Sequence, residues 1–204
     1  SQGNAPSAIR KDFEIILDEG VEIVGRYINI TDTGKYTGEA TYLFAELNGT
    51  KYPSLQEALD ACTTGDNTIN LLFHNSKDAT VSQKEGVKII IDGDGYKGKQ
   101  FEYSGTITVD GKSAAYATAG LTIEDVKFNA NNITKDASIN LGGNNSIRYT
   151  SNVTVKNCTF EGVDKAKVAI KNYTGGCKNL VVKNCEATGL HSLVQVKGIA
   201  GVTV

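Results

Sequence analysis

The 204-residue chain contains no Met, no Trp, two Pro and two His, and its 21 basic and 23 acidic side chains leave a net charge of −2. It has no Lys/Arg cluster of the kind that binds nucleic acid electrostatically. No apolar run approaches the roughly 20 residues that cross a bilayer, and no basic-then-apolar signal sequence begins the chain. We therefore expect no nucleic-acid partner and no membrane insertion. The missing initiator Met fits its removal before Ser1, a cleaved signal peptide or excision from a longer chain.

The first 47 residues divide into an arm and a small β unit. Residues 1–8 are small and polar, so we expect a flexible arm there. Residues 9–47 carry apolar side chains at alternate positions, interrupted at residues 18–20 (Asp-Glu-Gly) and 32–34 (Asp-Thr-Gly), which favour turns. This pattern predicts a small antiparallel meander that anchors or orients the rest of the chain.

One segment has the pattern of an amphipathic helix. Ser54 and Glu57 have the spacing of a capping box, which satisfies free backbone donors at a helix start. Apolar side chains follow at i, i+3, i+4 and i+7 and form one stripe, made of Leu55, Ala58, Leu59 and Cys62. We expect Gly65 to end the helix and extended structure to follow from Thr68.

An eight-residue phrase recurs along the second half of the chain. Copies begin at Leu121, Val153 and Leu180, and residues 201–204 start a fourth. Each full copy has apolar residues at its first and third positions and Asp or Asn at its fifth. A second short strand follows each copy, at residues 139–141, 168–170 and 194–196. Earlier, less regular members are residues 87–93 and 106–111.

The spacing of the copies predicts a solenoid of parallel strands. Strands that superpose from turn to turn bury a continuous core, while the connecting loops vary in length outside it. Like side chains are then expected to stack, as in the column of Phe128, Phe160 and Ala187. Asp125, Asn157 and Asn184 are predicted to form a bend, because Asp and Asn tolerate left-handed backbone angles. Their stacked polar side chains are expected to form a ladder.

Residues 46–204 resemble the right-handed parallel β-helix, or pectate-lyase-like, repeat proteins of bacterial surfaces and phage particles. The likeness is carried by V-T-V-K-N-C-T-F at residues 153–160, by I-I-I-D-G-D-G-Y-K-G at residues 89–98, and by the lead-in at residues 48–73. The resemblance implies an all-β fold: a right-handed parallel β-helix over residues 48–204 with an N-terminal capping helix, preceded by a small antiparallel β unit. Because a new turn has only begun at Val204, we expect a solenoid truncated at its C-terminal end, or an end that a partner covers.

The same resemblance implies a non-catalytic structural or attachment module. Its place would be the outside of a phage virion, as a head or tail fibre or decoration, or the bacterial cell surface, as an adhesin. The implied partners are capsid or fibre proteins or a cell-surface anchor, with carbohydrate binding and a homotrimer as further expectations and no cofactor. The alternative is a carbohydrate-active enzyme, a polysaccharide lyase or glycoside hydrolase, because one fold hosts many functions.

The acidic residues do not complete an enzyme motif in the sequence. A lyase of this fold would need an acidic Ca²⁺ cluster with a basic residue, and a hydrolase two or three acids on one face. Asp92 and Asp94 alternate with glycines and are predicted to form a turn, while Asp125 stacks on amides. We therefore predict no catalytic residue and no metal site. Three clustered acids, or acids with Lys or Arg, would favour the enzyme instead.

The histidines and cysteines also lack a clear chemical motif. His74 and His191 have no carboxylate or Cys at ligand spacing, and the four cysteines lack the C-x-x-C spacing of a zinc site. Cys158 and Cys185 hold equivalent positions in adjacent turns, about 4.8 Å apart. Packed free thiols or a disulfide would both fit there. Free buried thiols favour folding in a reducing cytosol, as for a virion component.

The loops between turns supply the candidate binding residues. Residues 129–150 and 171–178 are rich in Asn, Gly and Tyr, a composition suited to binding carbohydrate or a protein partner. The candidate ligand-binding side chains are Arg148, Tyr149, Asn172 and Tyr173. The competing interpretation is that these loops are solvated connections.

Overall fold

The structure, a computed structural model, describes residues 15–16, 22–24, 36–37, 41–95, 100–111, 116–142, 149–172, 176–196 and 199–204. In chain order its elements are β1 (Ile15–Ile16), β2 (Glu22–Val24), β3 (Tyr36–Thr37), β4 (Thr41–Leu43), β5 (Ala45–Leu47), β6 (Thr50–Tyr52), α1 (Leu55–Asp60), β7 (Gly65–Leu71), β8 (Ala79–Ser82), β9 (Val87–Asp92), β10 (Glu102–Tyr103), β11 (Ile107–Asp110), β12 (Gly120–Glu124), β13 (Lys127–Asn129), β14 (Ala137–Leu141), β15 (Thr150–Lys156), β16 (Thr159–Glu161), β17 (Val168–Asn172), β18 (Cys177–Lys183), β19 (Glu186–Thr188), β20 (Ser192–Gln195) and β21 (Ile199–Thr203). The described residues contain no helix with the length and apolar character of a membrane span.

Three sheets build a parallel β-solenoid. The large sheet has the order β21-β18-β15-β12-β9-β7-β5-β6, the short sheet β10-β13-β16-β19 and the middle sheet β20-β17-β14-β11-β8. From β9 to β20 the chain visits the large, short and middle sheets in turn, which makes four complete turns. The predicted solenoid of parallel strands is confirmed.

The predicted register is confirmed in each sheet. Leu121 pairs with Val153, which pairs with Leu180, and Val202 continues this column as the predicted fourth copy. In the middle sheet the second strands align through Ile139, Ile170 and Val194. The early member at residues 106–111 belongs to the middle sheet, because Ile107 pairs with Ile139.

The core is a set of buried columns inside the solenoid. The inward side chains of the large sheet are at most 3% exposed from Leu121 through Val155 to Val182. In the short sheet Phe128 stacks on Phe160, with ring centroids 4.7 Å apart and planes 5° apart. Tyr103 meets Phe128 edge-on. Stacked apolar side chains of this kind supply most of the stability of a solenoid, because each turn covers the next.

The predicted helix is confirmed as α1, with Ser54 as its N-cap. The backbone N–H of Glu57 donates to Ser54 Oγ at 3.1 Å, and Ser54 Oγ donates to Glu57 Oε1 at 3.0 Å. The stripe from Leu55 to Cys62 is buried in the same core as the first turn. The helix ends at Asp60, earlier than expected, and Gly65 instead begins strand β7.

Only part of the predicted N-terminal unit at residues 9–47 lies among the described residues, and the predicted arm at residues 1–8 lies outside them. The described pairs β1–β3 and β2–β4 are parallel, not antiparallel. More than a dozen residues separate the strands of each pair, enough for a crossover connection. Antiparallel pairing occurs at β5, which pairs with β6 and β7. Asn48 and Gly49 join β5 to β6 with φ of 49° and 88°, as a two-residue hairpin turn requires.

Candidate functional site

The acidic residues gather where the chain leaves the large sheet. Strand β9 ends at Asp92 and β12 ends at Glu124, and these two residues are paired neighbours. The next residue in each turn forms a corner, and the backbone N–H groups of Gly93, Asp125 and Asn157 donate to carbonyls of the following turn. We call the set of Gly93, Asp125, Asn157 and Asn184 the corner column. The last three adopt left-handed backbone angles, with φ of 58°, 54° and 52°.

The predicted turn at residues 92–95 is confirmed. Asp92 Oδ1 accepts hydrogen bonds from the backbone N–H groups of Asp94 and Gly95, both at 3.0 Å. Gly93 lies tight against the next turn, since a Cβ there would come within 2.3 Å of the Asp125 carbonyl oxygen. The turn therefore folds Asp94 back over the corner at Asp125.

This fold brings three carboxylates together, a cluster that the sequence analysis did not predict. Oxygens of Asp92, Asp94 and Asp125 all lie within 4.8 Å of one another. We call these three residues the acid cluster. Their proximity depends on the turn at Gly93, because Asp94 has no equivalent in the repeated phrase. The alignment of Asp92-Gly93-Asp94 with Glu124-Asp125 one turn on is the only sequence signal for it.

The charges around the acid cluster are uneven. Partial desolvation and then the charges of Asp125 and Asp92 raise the pKa of the Asp94 carboxyl. On the next turn Lys156 forms an ion pair with Glu124. The hydrogen bond within this ion pair, together with the attraction of the nearby carboxylates, raises the pKa of Lys156. The site therefore combines the three acidic side chains of the acid cluster with one basic side chain, Lys156, which is paired with Glu124. All of them lie near the ends of strands of the large sheet.

Such a group has two chemical capabilities. Clustered carboxylate oxygens are the ligands that a hard cation such as Ca²⁺ prefers. Neighbouring carboxylates also discourage full ionisation, so that one of them retains a proton to higher pH. The acids are partly or fully exposed, which keeps them accessible to solvent. From the sequence we expected neither a metal site nor a catalytic residue in this chain. Both of these absences remain expectations.

The four predicted ligand-binding residues have different surroundings. Arg148 and Tyr173 lie outside the described residues. Tyr149 is 42% exposed and directly precedes β15. Asn172 is 2% exposed at the end of β17, where its Nδ2 donates to the Leu141 carbonyl at 3.2 Å. Tyr149 thus faces solvent, whereas Asn172 is part of the interior.

The predicted amide ladder is present at the far end of the corner column. Asn184 Nδ2 donates to Asn157 Oδ1 at 3.2 Å. A second ladder, which the sequence analysis missed, runs from Asn179 Nδ2 to Asn152 Oδ1 at 2.8 Å, and both residues are left-handed. Its signal was the Asn directly before the second and third copies of the repeated phrase, in Asn152-Val153 and Asn179-Leu180.

The histidines have local partners rather than catalytic ones in the described residues. His74 Nδ1 accepts a hydrogen bond from the Glu102 backbone N–H at 2.8 Å, and its ring meets Phe73 and Phe101 edge-on. His191 Nδ1 lies 3.4 Å from Ser192 Oγ. Both contacts are consistent with satisfied surface residues. All four cysteines are free thiols, so Cys158 and Cys185 are not joined by a disulfide in this structure.

Comparisons with known proteins add no assignment to this geometry. No protein-family model, no curated protein and no solved structure matches the chain.

Proposed function

We propose that the chain is a non-catalytic structural or attachment module displayed on the outside of a phage virion, as a head or tail fibre or decoration, or of a bacterial cell, as an adhesin. The observation that carries the proposal is the continuous stack of buried columns, which makes the solenoid a rigid support for side chains on its surface. Rigid scaffolds that carry variable loops are a common basis for recognition.

The surface charges support a scaffold role. Ion pairs between successive turns join Lys127 to Glu161 and Lys171 to Asp136. A hollow of about 180 Å³ on the large sheet is lined by residues such as Asp66, Lys88 and Asn152. That volume is smaller than the roughly 300 Å³ at which enclosed small-molecule pockets begin. A small hollow of this kind suits contact with a large partner better than enclosure of a small molecule.

The finer architecture is part of the proposal. The solenoid is right-handed, α1 caps the N-terminal end of its core, and residues 9–47 anchor or orient it. The hairpin of β5 and β6 supports a cap at this end, because it closes the edge of the large sheet with short antiparallel strands. Capsid or fibre proteins, or a cell-surface anchor, are the proposed neighbours, and a homotrimer is the proposed assembly. A mass measurement that gives a monomer at every concentration would contradict the trimer.

Binding is proposed at two loops, with Arg148 and Tyr149 in the first and Tyr173 in the second, and with carbohydrate as the ligand class. An exposed aromatic ring on a polar loop supplies contact area at low cost in side-chain entropy. The burial of Asn172 gives it a supporting role instead. Its amide donates to the Leu141 carbonyl and so holds neighbouring strands of the middle sheet together.

A carbohydrate-active enzyme is the second candidate, and the acid cluster is the observation that favours it. Paired carboxylates at short range are the groups that glycoside hydrolysis uses, and Lys156 adds a positive charge nearby. In this alternative Asp94, whose raised pKa favours retention of a proton, would donate that proton to a leaving group.

One experiment separates the two candidates. The chain is incubated with a panel of acidic and neutral polysaccharides, and both product formation and binding are measured. We expect binding without turnover, with binding lost in Tyr149→Ala and Tyr173→Ala and kept in Val163→Ala, an exposed apolar control. Turnover that Asp94→Asn and Asp125→Asn abolish, and that Glu186→Gln leaves intact, would establish the enzyme instead. Binding that survives both tyrosine changes would remove these loops from the proposal.

A further inference from the structure

Two cysteines occupy equivalent positions in successive turns. Lys156 pairs with Lys183 before them, and Thr159 pairs with Glu186 after them, so Cys158 and Cys185 lie directly opposite each other. Parallel strands lie about 4.8 Å apart, which is inside the range of Cα separations that a disulfide bridges.

The surroundings of the two sulfur atoms repeat in the same way. Cys158 Sγ lies 3.2 Å from the Lys156 carbonyl oxygen, and Cys185 Sγ lies 3.3 Å from the Lys183 carbonyl oxygen. The two side chains therefore point in the same direction from adjacent turns. The two thiols are therefore close enough for each to shift the pKa of the other.

The two thiols differ in access and acidity. Cys158 is fully buried, whereas Cys185 is half-buried. Interaction with the Cys158 thiol lowers the pKa of Cys185 to about 7, and the same interaction, with burial, raises the pKa of Cys158. Since the thiolate is the reactive form of cysteine, Cys185 is the attacking nucleophile and Cys158 is the resolving thiol.

The other cysteines provide an internal reference. Cys62 and Cys177 are also buried, at 8% and 2% exposure. Burial raises the pKa of both thiols. Neither lies opposite another cysteine in the described strand pairings. Reactivity that arises from pairing should therefore appear at Cys185 and be weak at these two sites.

We propose that Cys158 and Cys185 form a redox-active dithiol that small disulfide compounds oxidise to a disulfide between adjacent turns. The Cys185 thiolate attacks one sulfur of the small disulfide, forms a mixed disulfide and releases one small thiolate. Cys158 then attacks the Cys185 sulfur, and the second small thiolate leaves and takes the Cys158 proton. The chain loses two electrons and two protons, and the small disulfide is reduced to two thiols.

This chemistry goes beyond the attachment role. The new bond would tie one turn of the solenoid to the next at the corner that follows the large sheet. Cross-linked chains have a smaller unfolded-state entropy, so oxidation would stabilise the far end of the solenoid. The site would thus make the stability of the fold respond to the thiol–disulfide balance around it.

The test uses the full chain, oxidised glutathione as the probe and peptide mass mapping as the readout. We expect loss of two hydrogen atoms per chain and a Cys158–Cys185 cross-linked peptide, with a higher unfolding midpoint that dithiothreitol reverses. The Cys62→Ala/Cys177→Ala variant should behave identically. Cys158→Ala should accumulate a stable glutathione adduct at Cys185, because the resolving thiol is gone. Cys185→Ala should form no adduct at the buried Cys158.

A second measurement separates the interaction between the two thiols from the simple exposure of Cys185. Iodoacetamide at pH 7 should alkylate Cys185 at least about tenfold faster than Cys62 or Cys177. Cys158→Ala should slow that reaction, and Cys158→Ser, which keeps a donor, should restore it. The proposal is overturned if no Cys158–Cys185 linkage forms, or if Cys62 and Cys177 react as fast as Cys185.

Discussion

The corner column is acidic at one end of the solenoid and neutral at the other. At the first end Gly93 carries the turn that brings Asp92 and Asp94 onto Asp125. At the far end Asn157 and Asn184 repeat the left-handed bend and bond to each other. The backbone follows a similar path at both ends, but the surface is acidic at one end and uncharged at the other.

The difference shows how each end satisfies its polar atoms. An amide both donates and accepts, so an Asn column can continue from turn to turn without outside help. Ionised carboxylates only accept, so the acid end needs donors from elsewhere. The structure supplies them as backbone N–H groups on Asp92 and as the Lys156 ammonium on Glu124. The acid end therefore depends on donors from outside the column, whereas the amide side chains at the other end bond to each other.

The largest expected effect tests whether the two ends share one core. Phe128 follows the acidic corner and Phe160 the amide corner, and both are fully buried. Replacing either with Ala should lower the free energy of unfolding by about 3–5 kcal/mol, because each leaves a cavity in the stack. Urea unfolding should give costs within about 1 kcal/mol of each other. A cost confined to one site would mean that the core differs as well as the surface.

The next effect concerns the close packing at the acid end. Gly93→Ala places a Cβ within 2.3 Å of the Asp125 carbonyl oxygen, which is rigid backbone. We expect a loss of about 1–3 kcal/mol in the free energy of unfolding, since one turn must move away from the other. Gly120→Ala serves as the control for glycine loss without crowding, because its Cβ would make only ordinary contacts, the nearest at 3.6 Å from Lys88 Cγ. If Gly93→Ala unfolds like the wild-type chain, the turn does not pack on Asp125.

The repeat made the stacked strands predictable because each phrase carries its own register. The apolar positions at Leu121, Val153 and Leu180 must superpose to bury a core, and the bend residues follow at a fixed offset. The helix was equally local, since Ser54 and Glu57 mark its start. These features depend on neighbours in sequence, and a single chain is enough to recognise them.

The acid cluster depended on geometry that the repeat does not encode. Asp94 lies in a turn that occurs once, and its approach to Asp125 follows from the tight contact at Gly93.

Asn172 is the reverse case, a residue that the sequence placed in a binding loop and the structure places in the interior. Its position next to Tyr173 in a polar stretch favoured a loop, yet strand β17 extends to Asn172 and buries it. Loop boundaries are the features that sequence patterns define least sharply.

A moderate effect tests the amide end. Asn157→Ala should cost about 1–2 kcal/mol, because Ala disfavours the left-handed angle that Asn157 adopts. Asn157→Gly tolerates that angle and should cost only about 0.5 kcal/mol, for the lost ladder bond on an exposed surface. Thermal unfolding of the two variants separates backbone strain from hydrogen bonding. Equal costs would show that the ladder, not the bend, selects Asn here.

The smallest effect tests the acid end and depends on pH. The raised pKa of Asp94 means that the folded chain binds this proton more tightly than the unfolded chain does. Stability should therefore fall as pH rises from about 4, the ordinary value for Asp, through the raised pKa. Asp94→Asn keeps the shape of the side chain and removes its charge, so it should stabilise the fold at pH 7 and change nothing at pH 3.

The gain should stay below about 0.5 kcal/mol, because water screens an exposed carboxyl. Added salt should shrink it further, since the repulsion from Asp92 and Asp125 acts through solvent. Asp164→Asn is the control, an exposed acid outside the acid cluster whose replacement should not reproduce this pH dependence. If Asp94→Asn instead destabilises the chain at pH 7, the carboxylate is a net stabilising group. The contrast between an acid end held by outside donors and a self-satisfied amide end would then fail at Asp94.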